Sequence, residues 1–411
     1  MIWIKNNLAV ASKSEIIKIP YKTVDVRDLV DKEGNPTELI LEKIDEAIDL
    51  IKNKHKVVIF CDQGFSRSNA IAIGVLVKYF GYNFDDAVKL VVKKTGRELI
   101  NLDLLNTVKR ALKINDVRSK TKKTILITGA SGFIGSALVN LLKKEKKRYE
   151  LITPSHFEVD LLRGPIELDL LVKRTGADLI VHLASPRIYS TPQAMGEMII
   201  MLKNVLEVCR INGIPIIYPS SWVVFGGYFN KDLVRASENL EPLPRDTYGQ
   251  AKFLCEILLN YYKKVYSLKV CLLRISPVYG RGSDKPKFIW NFFEKVKNNI
   301  EIFTHEYKNG PPILDLIHVS DVASAIKAVI EKNFFGVLHI GTGVGLSTFE
   351  IAHKIKEICK SKSKISILKV DDYSPNIVMD ISKAKKILGW QPRISIEEGL
   401  KSILSGKKSR G

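Results

Sequence analysis

Residues 124–135 read Thr-Ile-Leu-Ile-Thr-Gly-Ala-Ser-Gly-Phe-Ile-Gly, a β-type run that ends in a glycine-rich turn. The residues that follow carry leucine and valine at helical spacing, so the stretch predicts a strand, a turn and a helix. Glycines permit a tight turn and close helix–strand packing, and the free N–H groups at the helix start can bind a pyrophosphate. The residues predicted to contact a dinucleotide here are Gly129, Ser131, Gly132, Phe133, Ile134 and Gly135.

Strand and helix patterns alternate from this turn to a predicted strand at 270–275. This alternation indicates an α/β fold, in which helices cover both faces of a parallel sheet. A later strand, predicted at 178–184, is apolar and suited to burial in such a sheet. Its last residues, Leu183 and Ala184, are predicted to pass beneath the bound cofactor.

Three polar residues further along the chain predict proton-transfer chemistry. Tyr248 and Lys252 are four residues apart on a predicted helix and therefore share one face, where the ammonium group can lower the pKa of the phenol. Ser221 follows a predicted strand at 215–218 and supplies a hydroxyl for a substrate oxygen. The trio suits a carbon that bears a hydroxyl or a ketone, because Tyr248 can exchange the proton on oxygen while a nicotinamide exchanges hydride with the carbon.

Taken together, residues 122–404 resemble the extended short-chain dehydrogenase/reductase family in its NAD-dependent epimerase/dehydratase branch. The similarity continues in the runs 273–274, 278–280, 317–323, 340–343 and 388–392 and at Asp380. The resemblance implies a doubly wound Rossmann domain with a small C-terminal substrate-binding lobe. It also implies NAD or NADP as cofactor, a nucleotide-sugar or keto-sugar substrate, and a homodimer as an option through a four-helix interface.

The chain departs from this family at positions that bear on the reaction. Members that act as 4,6-dehydratases carry an Asp-Glu pair directly after the catalytic Ser or Thr, whereas Trp222 and Val223 stand there in this chain. This difference favours epimerisation through a keto intermediate, or reduction of a keto sugar, over dehydration. An Arg that often precedes the Asp before the 317–323 run is replaced by Leu314, and an Asn usual near Met198 is missing. Contacts to the diphosphate and the choice of sugar therefore stay open.

The choice between NAD and NADP also stays open. The predicted strand 149–153 is followed by Pro154-Ser155-His156, without the acidic residue that binds the 2′-hydroxyl of NAD. Residues 151–161 are similar to fucose- and rhamnose-forming keto-sugar reductases, which favours a reductase or an epimerase-reductase.

A second motif, near the start of the chain, predicts a phosphate site. An apolar strand at 57–60 leads to Cys61, and a short loop joins this cysteine to Arg67 at the start of a predicted helix. Backbone N–H groups in such a loop converge on an anion, and the same field lowers the pKa of the cysteine. Ser68 can hydrogen-bond the sulfur. The residues predicted to bind phosphate are Asp62, Gln63, Gly64, Phe65, Ser66 and Arg67.

A general acid must protonate the leaving oxygen, and Asp28 follows a predicted strand at 16–26, with Asp25 and Asp31 as alternatives. Residues 15–112 resemble a dual-specificity, cysteine-dependent phosphatase domain. Its signature Cys-x-x-Gly-x-Ser-Arg-Ser is matched at Cys61, Gly64, Ser66, Arg67 and Ser68. The resemblance implies that Cys61 is the nucleophile, that Asp28 is the acid and that a phosphomonoester is the substrate. The family usually has His before the nucleophile, where this chain has Phe60, so the resemblance implies weaker stabilisation of the thiolate.

Composition limits the remaining classes of function. The formal net charge of +20 is spread along the chain rather than clustered, which argues against a specific nucleic-acid reader. No apolar run approaches the roughly 18 residues that a membrane span requires. The five cysteines are scattered and form no C-x-x-C pair. We therefore expect a cytoplasmic protein without a metal site and without a membrane or specific nucleic-acid partner.

A chain of 411 residues exceeds what one hydrophobic core usually serves. The expected organisation is a phosphatase-type parallel-sheet domain (1–114), a linker (115–123), an NAD(P)-binding domain (124–405) and a flexible tail (406–411). The leading hypothesis is a bifunctional enzyme, a phosphatase fused to a nucleotide-sugar epimerase or keto-sugar reductase. The alternatives are an epimerase/reductase regulated by a catalytically weak phosphate-binding module and a noncatalytic nicotinamide-binding scaffold.

Overall fold

The computed structural model describes residues 1–17, 19–96, 100–114, 122–186, 191–282 and 286–404. The chain divides into two compact units. Unit 1 comprises Met1–Thr121 and Glu158–Gly176, and unit 2 comprises Lys122–Phe157 and Ala177–Gly411. Most of the predicted linker (115–121) and the predicted tail (406–411) lie outside the described residues.

Unit 1 contains a four-stranded sheet that places the cysteine loop. Its strands are β1 (Ile2–Lys5), β2 (Leu8–Ser12), β3 (Lys22–Asp25) and β4 (Val57–Cys61), in the order β1-β2-β4-β3. Strand β4 pairs in parallel with both β2 and β3, and all five of its residues are buried. A fully buried strand requires a continuous apolar run, which Val57–Cys61 supplies. Cys61 therefore lies at the carboxyl end of an interior strand.

Helices pack around this sheet. They are α1 (Thr37–Lys52), α2 (Arg67–Lys78), α3 (Phe84–Thr95) and α4 (Leu102–Ala111), with a short 3-10 helix at Lys13–Glu15. In the sequence, Asn83 with Asp86 three residues later predicts a helix start. Helix α3 does begin at Phe84, where the Asn83 side chain accepts a hydrogen bond from the backbone of Asp85. The apolar patterns of residues 38–52 and 67–80 predict helices there, and α1 and α2 match these ranges to within two residues.

Two sequence-based expectations for unit 1 were wrong. The predicted strand 16–26 is reduced to Lys22–Asp25, because residues 13–15 form the 3-10 helix and Pro20 lacks a backbone N–H for a sheet ladder. The strands β1 and β2 were not predicted. Since β1 runs antiparallel to β2, the sheet is mixed rather than purely parallel.

The strands of unit 2 are, in chain order, β5 (Lys123–Thr128), β6 (Tyr149–Ile152), β7 (Leu179–His182), β8 (Ile216–Ser221), β9 (Val234–Ala236), β10 (Val270–Ile275), β11 (Val278–Tyr279), β12 (Ile302–Glu306), β13 (Ile313–Leu314), β14 (Ile317–His318), β15 (Gly336–Ile340), β16 (Leu346–Ser347), β17 (Ile365–Lys369) and β18 (Ile377–Met379). Six of them form a parallel sheet in the order β6-β5-β7-β8-β10-β15. After β5 the chain forms β6 on one side of it and then β7 on the other side, so the strand order changes direction between β5 and β7. Ligands of doubly wound folds bind at such a switch point.

The helices after unit 1 are α5 (Phe133–Leu142), α6 (Ile166–Thr175), α7 (Pro192–Asn212), α8 (Thr247–Tyr266), α9 (Lys287–Lys297), α10 (Val319–Lys332), α11 (Thr348–Ile358), α12 (Ser382–Leu388) and α13 (Ile396–Leu404), with 3-10 helices at Lys143–Glu145 and Trp222–Phe225. Helix α6 belongs to the segment that groups with unit 1, where the Lys173 amine donates to the Asn106 side chain of α4. The sequence placed this segment in the second domain.

A second hydrophobic cluster in unit 2 corresponds to the expected C-terminal lobe. Apolar residues of α9, α11 and α13 pack together, including Phe292, Ile355 and Leu400. The small sheets β16-β13-β18-β9 and β12-β17 accompany it. The expected linker is one residue too long, because Lys123 already belongs to β5. Among the residues described here, no helix has both the length and the apolar content needed to span a bilayer.

Candidate active sites

The glycine turn connects β5 to α5 at the switch point of the sheet. Gly129 has a φ of +69°, and a Cβ at this position would lie 2.5 Å from the backbone nitrogen of Ala184. A Cβ on Gly135 would lie 2.2 Å from the Gly129 carbonyl oxygen. Both approaches require glycine. The structure thus brings the turn against the end of β7, at Leu183 and Ala184, and leaves a backbone cradle that fits a dinucleotide pyrophosphate.

The other predicted cofactor residues lie around this cradle. Gly132 is the N-cap of α5 and its N–H donates to the Gly129 carbonyl at 3.0 Å. Ser131 is exposed, while Phe133 and Ile134 are half-buried in the first turn of the helix. Each remains a predicted ligand contact.

We expect Gly135→Ala to destabilise unit 2, because the added methyl would meet backbone atoms that cannot rotate away. Overpacking of this kind costs at least about 1–3 kcal/mol. Thermal unfolding with and without NAD measures the effect, and the melting temperature should fall while stabilisation by NAD is lost. Gly196→Ala in α7 is the matched control, since a Cβ there meets nothing within 4 Å and should stabilise the helix by about 0.5–1 kcal/mol. Equal melting temperatures for the two variants would contradict the cradle geometry.

A layer of buried polar and aromatic side chains lies on the strands next to the turn. The Thr128 hydroxyl and His182 Nδ1 are 2.7 Å apart, and the His182 ring stacks on Tyr218 with 5.9 Å between centroids. Burial, and then the neighbouring Lys252, lower the pKa of His182 to about 3. His182 is therefore neutral at physiological pH and adds no charge beside the lysine.

Lys252 lies on α8 and faces this layer. Its amine donates to the Pro219 carbonyl at 2.9 Å and to the Tyr218 hydroxyl at 3.3 Å, and it lies 5.8 Å from the Tyr248 ring centroid. Burial lowers the pKa of Lys252 to about 8, although the neighbouring Cys255 and Glu256 side chains oppose this shift. The structure thus places the predicted Tyr248 and Lys252 on one face, and the ammonium group can stabilise a phenolate.

Ser221 ends β8 and caps the 3-10 helix Trp222–Phe225, where its hydroxyl accepts from the Val223 N–H at 3.4 Å. The start of α8 packs closely on this helix, because a Cβ on Gly249 would lie 2.8 Å from the Val223 carbonyl oxygen. This contact brings the segments of Ser221 and Tyr248 together.

A buried ion pair behind the site was not predicted. Arg274 of β10 donates to both carboxylate oxygens of Glu256 on α8, with a shortest distance of 2.7 Å, and both side chains are at most 7% exposed. The Ser220 hydroxyl donates to the same carboxylate at 2.5 Å. The position of Glu256, one turn after Lys252 on the buried face of α8, is the sequence signal that could have revealed the pair.

The structure shows the surroundings of the residues at which this chain departs from the family pattern. Trp222 packs against an apolar cluster that includes Phe225 and Met379, and Met198 is buried in α7. Leu314 is half-buried in β13, and the next residue, Asp315, is fully buried and accepts hydrogen bonds from the backbone of residues 342, 343 and 379. Asp315 thus links the segment after β15 to β18.

In unit 1 the loop after β4 folds back over the cysteine sulfur. The Gly64 N–H donates to Cys61 Sγ at 3.2 Å, and the Ser68 hydroxyl lies 3.5 Å from it. Gly64 has a φ of +69°, and a Cβ there would lie 2.7 Å from backbone atoms of Ala11 and Ser12, so the loop requires glycine. Burial opposes ionisation of Cys61, but hydrogen bonds from Ser68, Gly64 and Phe65 outweigh it and lower the pKa of the thiol.

Arg67 begins α2 as predicted, and its guanidinium is held by the protein itself. Nη1 donates to the carbonyls of Arg27 and Leu29 at 3.0 and 3.1 Å, and Nη2 donates to Asp62 at 2.6 Å. Asp62 is one of the residues predicted to bind phosphate. A phosphate bound by Arg67 must therefore compete with this carboxylate.

The candidate acids lie in different surroundings. Asp28 is about half-exposed and pairs with Lys43 at 2.8 Å. Asp25 forms a bidentate pair with Arg27, which lowers the pKa of this carboxyl. Asp31 contacts the cysteine loop directly, because the Ser66 hydroxyl donates to it at 2.5 Å. The predicted Asp28 is thus not the aspartate that hydrogen-bonds the loop.

Comparisons with known proteins match the part of the chain that carries the glycine turn. The NAD dependent epimerase/dehydratase family matches residues 125–341. UDP-glucuronic acid decarboxylase 6 of Arabidopsis thaliana is 26% identical in an alignment of 300 residues, and this alignment covers 67% of this chain and 86% of the relative.

Two solved structures show the same fold. UDP-glucose 4-epimerase of Thermotoga maritima, solved with UDP-glucose, has a TM-score of 0.60 and 26% identity and covers 68% of this chain and 97% of its own. RMD of Pseudomonas aeruginosa, solved with NADPH, has a TM-score of 0.61 and 21% identity and covers 69% of this chain and 98% of its own. At 21% identity, the similarity to the Pseudomonas aeruginosa structure shows the fold alone.

The family match spans more than half of the chain and includes the glycine turn, the Ser221 segment and the Tyr248/Lys252 pair. The family's description confirms the prediction of a nicotinamide dinucleotide cofactor, and the Rossmann-type sheet agrees with it. The chain belongs to the NAD-dependent epimerase/dehydratase family.

Proposed function

We propose that this protein is bifunctional, an NAD(P)-dependent nucleotide-sugar epimerase or keto-sugar reductase joined to a cysteine-dependent phosphomonoester phosphatase. The observation that carries the first activity is the buried Lys252 amine beside Tyr248, on the helix that packs against the Ser221 segment. The bound nicotinamide supplies or accepts the hydride. Gly129, Gly132 and Gly135 hold the pyrophosphate against the N-terminus of α5.

The protein residues handle the proton on the reacting oxygen. Ser221 orients that oxygen, and Tyr248 removes or returns its proton. The Lys252 ammonium lowers the pKa of the phenol through its charge. Because burial lowers the pKa of Lys252 to about 8, this help weakens as pH rises through 8, and turnover should then fall.

We infer the substrate class from the relatives and from the residues at which this chain departs from the family pattern. Among the proteins named above, the Arabidopsis thaliana relative is a UDP-glucuronic acid decarboxylase, and the Thermotoga maritima epimerase was solved with UDP-glucose. Trp222 and Val223 provide no carboxylate or carboxylic acid for removing water, so epimerisation or reduction fits better than dehydration. The absence of an acidic residue in the run 151–157 is compatible with NADP as well as NAD.

Incubation of the full chain with NAD or NADPH and a panel of UDP- and dTDP-sugars and 4-keto sugars tests this proposal. We expect a change in the sugar product, detected by mass spectrometry and NMR, with at least one substrate. Cofactor binding without conversion of any sugar in the panel would instead support the noncatalytic scaffold.

For unit 1, the strand–loop–helix around Cys61 and the lowered thiol pKa support a thiolate nucleophile. The thiolate would attack phosphorus, the phosphomonoester oxygen would leave with a proton from an aspartate, and water would then hydrolyse the phosphocysteine. One observation favours the regulatory alternative, since Arg67 is already paired with Asp62. In that case the loop binds a phosphate group without turnover.

A homodimer is part of the proposal. Helix α8 exposes an apolar stripe of Leu254, Ile257, Tyr261 and Val265, each at least 40% exposed. Their spacing of three or four residues puts them on one face of the helix. A second copy of α8 and its neighbour α7 would bury this stripe, and sedimentation analysis of the full chain would detect the dimer.

A further inference from the structure

Tyr218 lies at the centre of the buried layer on which Lys252 rests. It is in β8, three residues before Ser221, and is 2% exposed. The Lys252 amine donates to its hydroxyl at 3.3 Å and lies 4.7 Å from the centroid of its ring. The same tyrosine thus supplies both an oxygen acceptor and an aromatic face to a buried cation.

The hydroxyl of Tyr218 has a fixed direction in this arrangement. Because Lys252 donates to the phenolic oxygen, the phenolic hydrogen must point elsewhere, and the Tyr218 hydroxyl is hydrogen-bonded to the buried thiol of Cys255. Burial raises the pKa of Tyr218 well above its usual value, so the hydroxyl stays neutral. The oxygen is therefore a permanent acceptor for the lysine.

An ammonium group has three N–H donors. Two of them are occupied by Tyr218 and by the Pro219 carbonyl, which follow each other in β8. Within the part of the chain that the structure describes, the third N–H is left for a ligand or for the neighbourhood of Tyr248. A lysine on four flexible methylenes is thus held in one place by two adjacent acceptors.

We propose that Tyr218 is a positioning residue for Lys252, which holds the lysine as an ammonium group at the nicotinamide site through its hydroxyl and its ring. This inference rests on the proposed role of Lys252 and adds a residue to it. Tyr218 acts only through Lys252 and need not touch the substrate.

The charge of Lys252 also depends on other groups around it. The titratable groups that face it are His182 on β7, Tyr218 on β8, and Tyr248, Cys255 and Glu256 on α8. His182 is neutral, whereas Cys255 and Glu256, which is itself paired with Arg274, favour the ammonium form. The Tyr218 hydroxyl and the Pro219 carbonyl accept hydrogen bonds from the amine, and such bonds also favour the ammonium form that burial opposes.

Tyr218→Phe tests the proposal by removing one oxygen atom while the ring remains. In full-length protein labelled with [13Cε]lysine, the resonance that disappears in Lys252→Met is that of Lys252, and its pH titration gives the midpoint directly. We expect a midpoint near 8 in the parent protein and a value lower by about one pH unit or more in Tyr218→Phe, because the ammonium form loses an acceptor. An unchanged or higher midpoint would overturn the proposal.

Tyr262→Phe is the matched control. Tyr262 is also buried and its hydroxyl donates to Glu207, so this variant loses a buried hydroxyl without touching Lys252. The midpoint of the Lys252 titration in Tyr262→Phe should equal that of the parent protein. A shift as large as in Tyr218→Phe would refute a specific role for Tyr218. If Tyr218→Phe does not fold, 3-fluorotyrosine at position 218 keeps the hydroxyl but weakens it as an acceptor. The midpoint should again fall, and an unchanged value would refute the proposal.

The experiment separates this inference from the proposed function. The NMR titration requires neither substrate nor cofactor. If Lys252→Met retains full turnover with a converted sugar, the proposed role of Lys252 fails whatever the titration shows. If Lys252→Met abolishes turnover but the midpoint does not respond to Tyr218→Phe, the proposed function stands and the role of Tyr218 fails.

Discussion

Tyr248→Phe is expected to reduce turnover of the nucleotide sugar by about 10²–10⁴-fold, because the ring still packs on α8 but has no hydroxyl to exchange a proton. Binding of NAD should change little, since the glycine turn that holds the pyrophosphate is untouched. The measurement is kcat with the sugar identified in the panel, together with a fluorescence titration of NADH.

The control for this prediction is Tyr262→Phe, which lies on the same helix and whose hydroxyl is bonded to Glu207. Its turnover should remain within a few-fold of the parent. A Tyr248→Phe protein that retains parental kcat would show that another group transfers the proton, and Tyr248 would lose its assigned role.

The second large effect is expected at the cysteine loop. Cys61→Ser should bring hydrolysis of p-nitrophenyl phosphate under reducing conditions to the detection limit, because an alcohol is far from ionised at neutral pH. Cys359→Ser is the control and should leave hydrolysis unchanged, since this thiol belongs to another element and burial raises its pKa. A parent protein that shows no hydrolysis would rule out the phosphatase and leave the phosphate-binding module.

The pH dependence of this hydrolysis tests the loop geometry. The hydrogen bonds to Cys61 favour the thiolate, so its folded-state pKa is lowered and the thiolate persists to lower pH than that of an ordinary cysteine. The rising limb of kcat/KM should therefore have its midpoint below the pKa of an ordinary cysteine thiol. Ser68→Ala removes one of these hydrogen bonds and should move the midpoint upward. A midpoint that is the same in both proteins would show that Ser68 does not stabilise the thiolate.

Local sequence was sufficient to predict an element wherever the interactions that form it lie within one segment of the chain. The glycine turn is such a segment, because the close approach of Gly135 to the Gly129 carbonyl lies within a single strand–turn–helix. The pair Tyr248 and Lys252 is another, since helical spacing alone puts both on one face. Helix α1, strand β10 and the cap at Asn83 follow in the same way from periodicity and capping.

Sequence failed where an element depends on distant partners. Strands β1 and β2 were not recognised from their own residues, and in the structure they pair with each other while β2 also pairs with β4. The segment that contains α6 follows β6 in the sequence but groups with unit 1 in space, which no local pattern indicates.

The sequence by itself determined the two strand–loop–helix motifs, the residue types at each site and the class of cofactor, because these depend on neighbours within a few residues. Only the tertiary structure decided the protonation and orientation of the site groups. The placement of Lys252 on Tyr218 and Pro219, the pairing of Arg67 with Asp62 and the contact of Asp31 with Ser66 join residues from separate elements. Burial and hydrogen bonding set charge and direction, and both arise only when the elements pack.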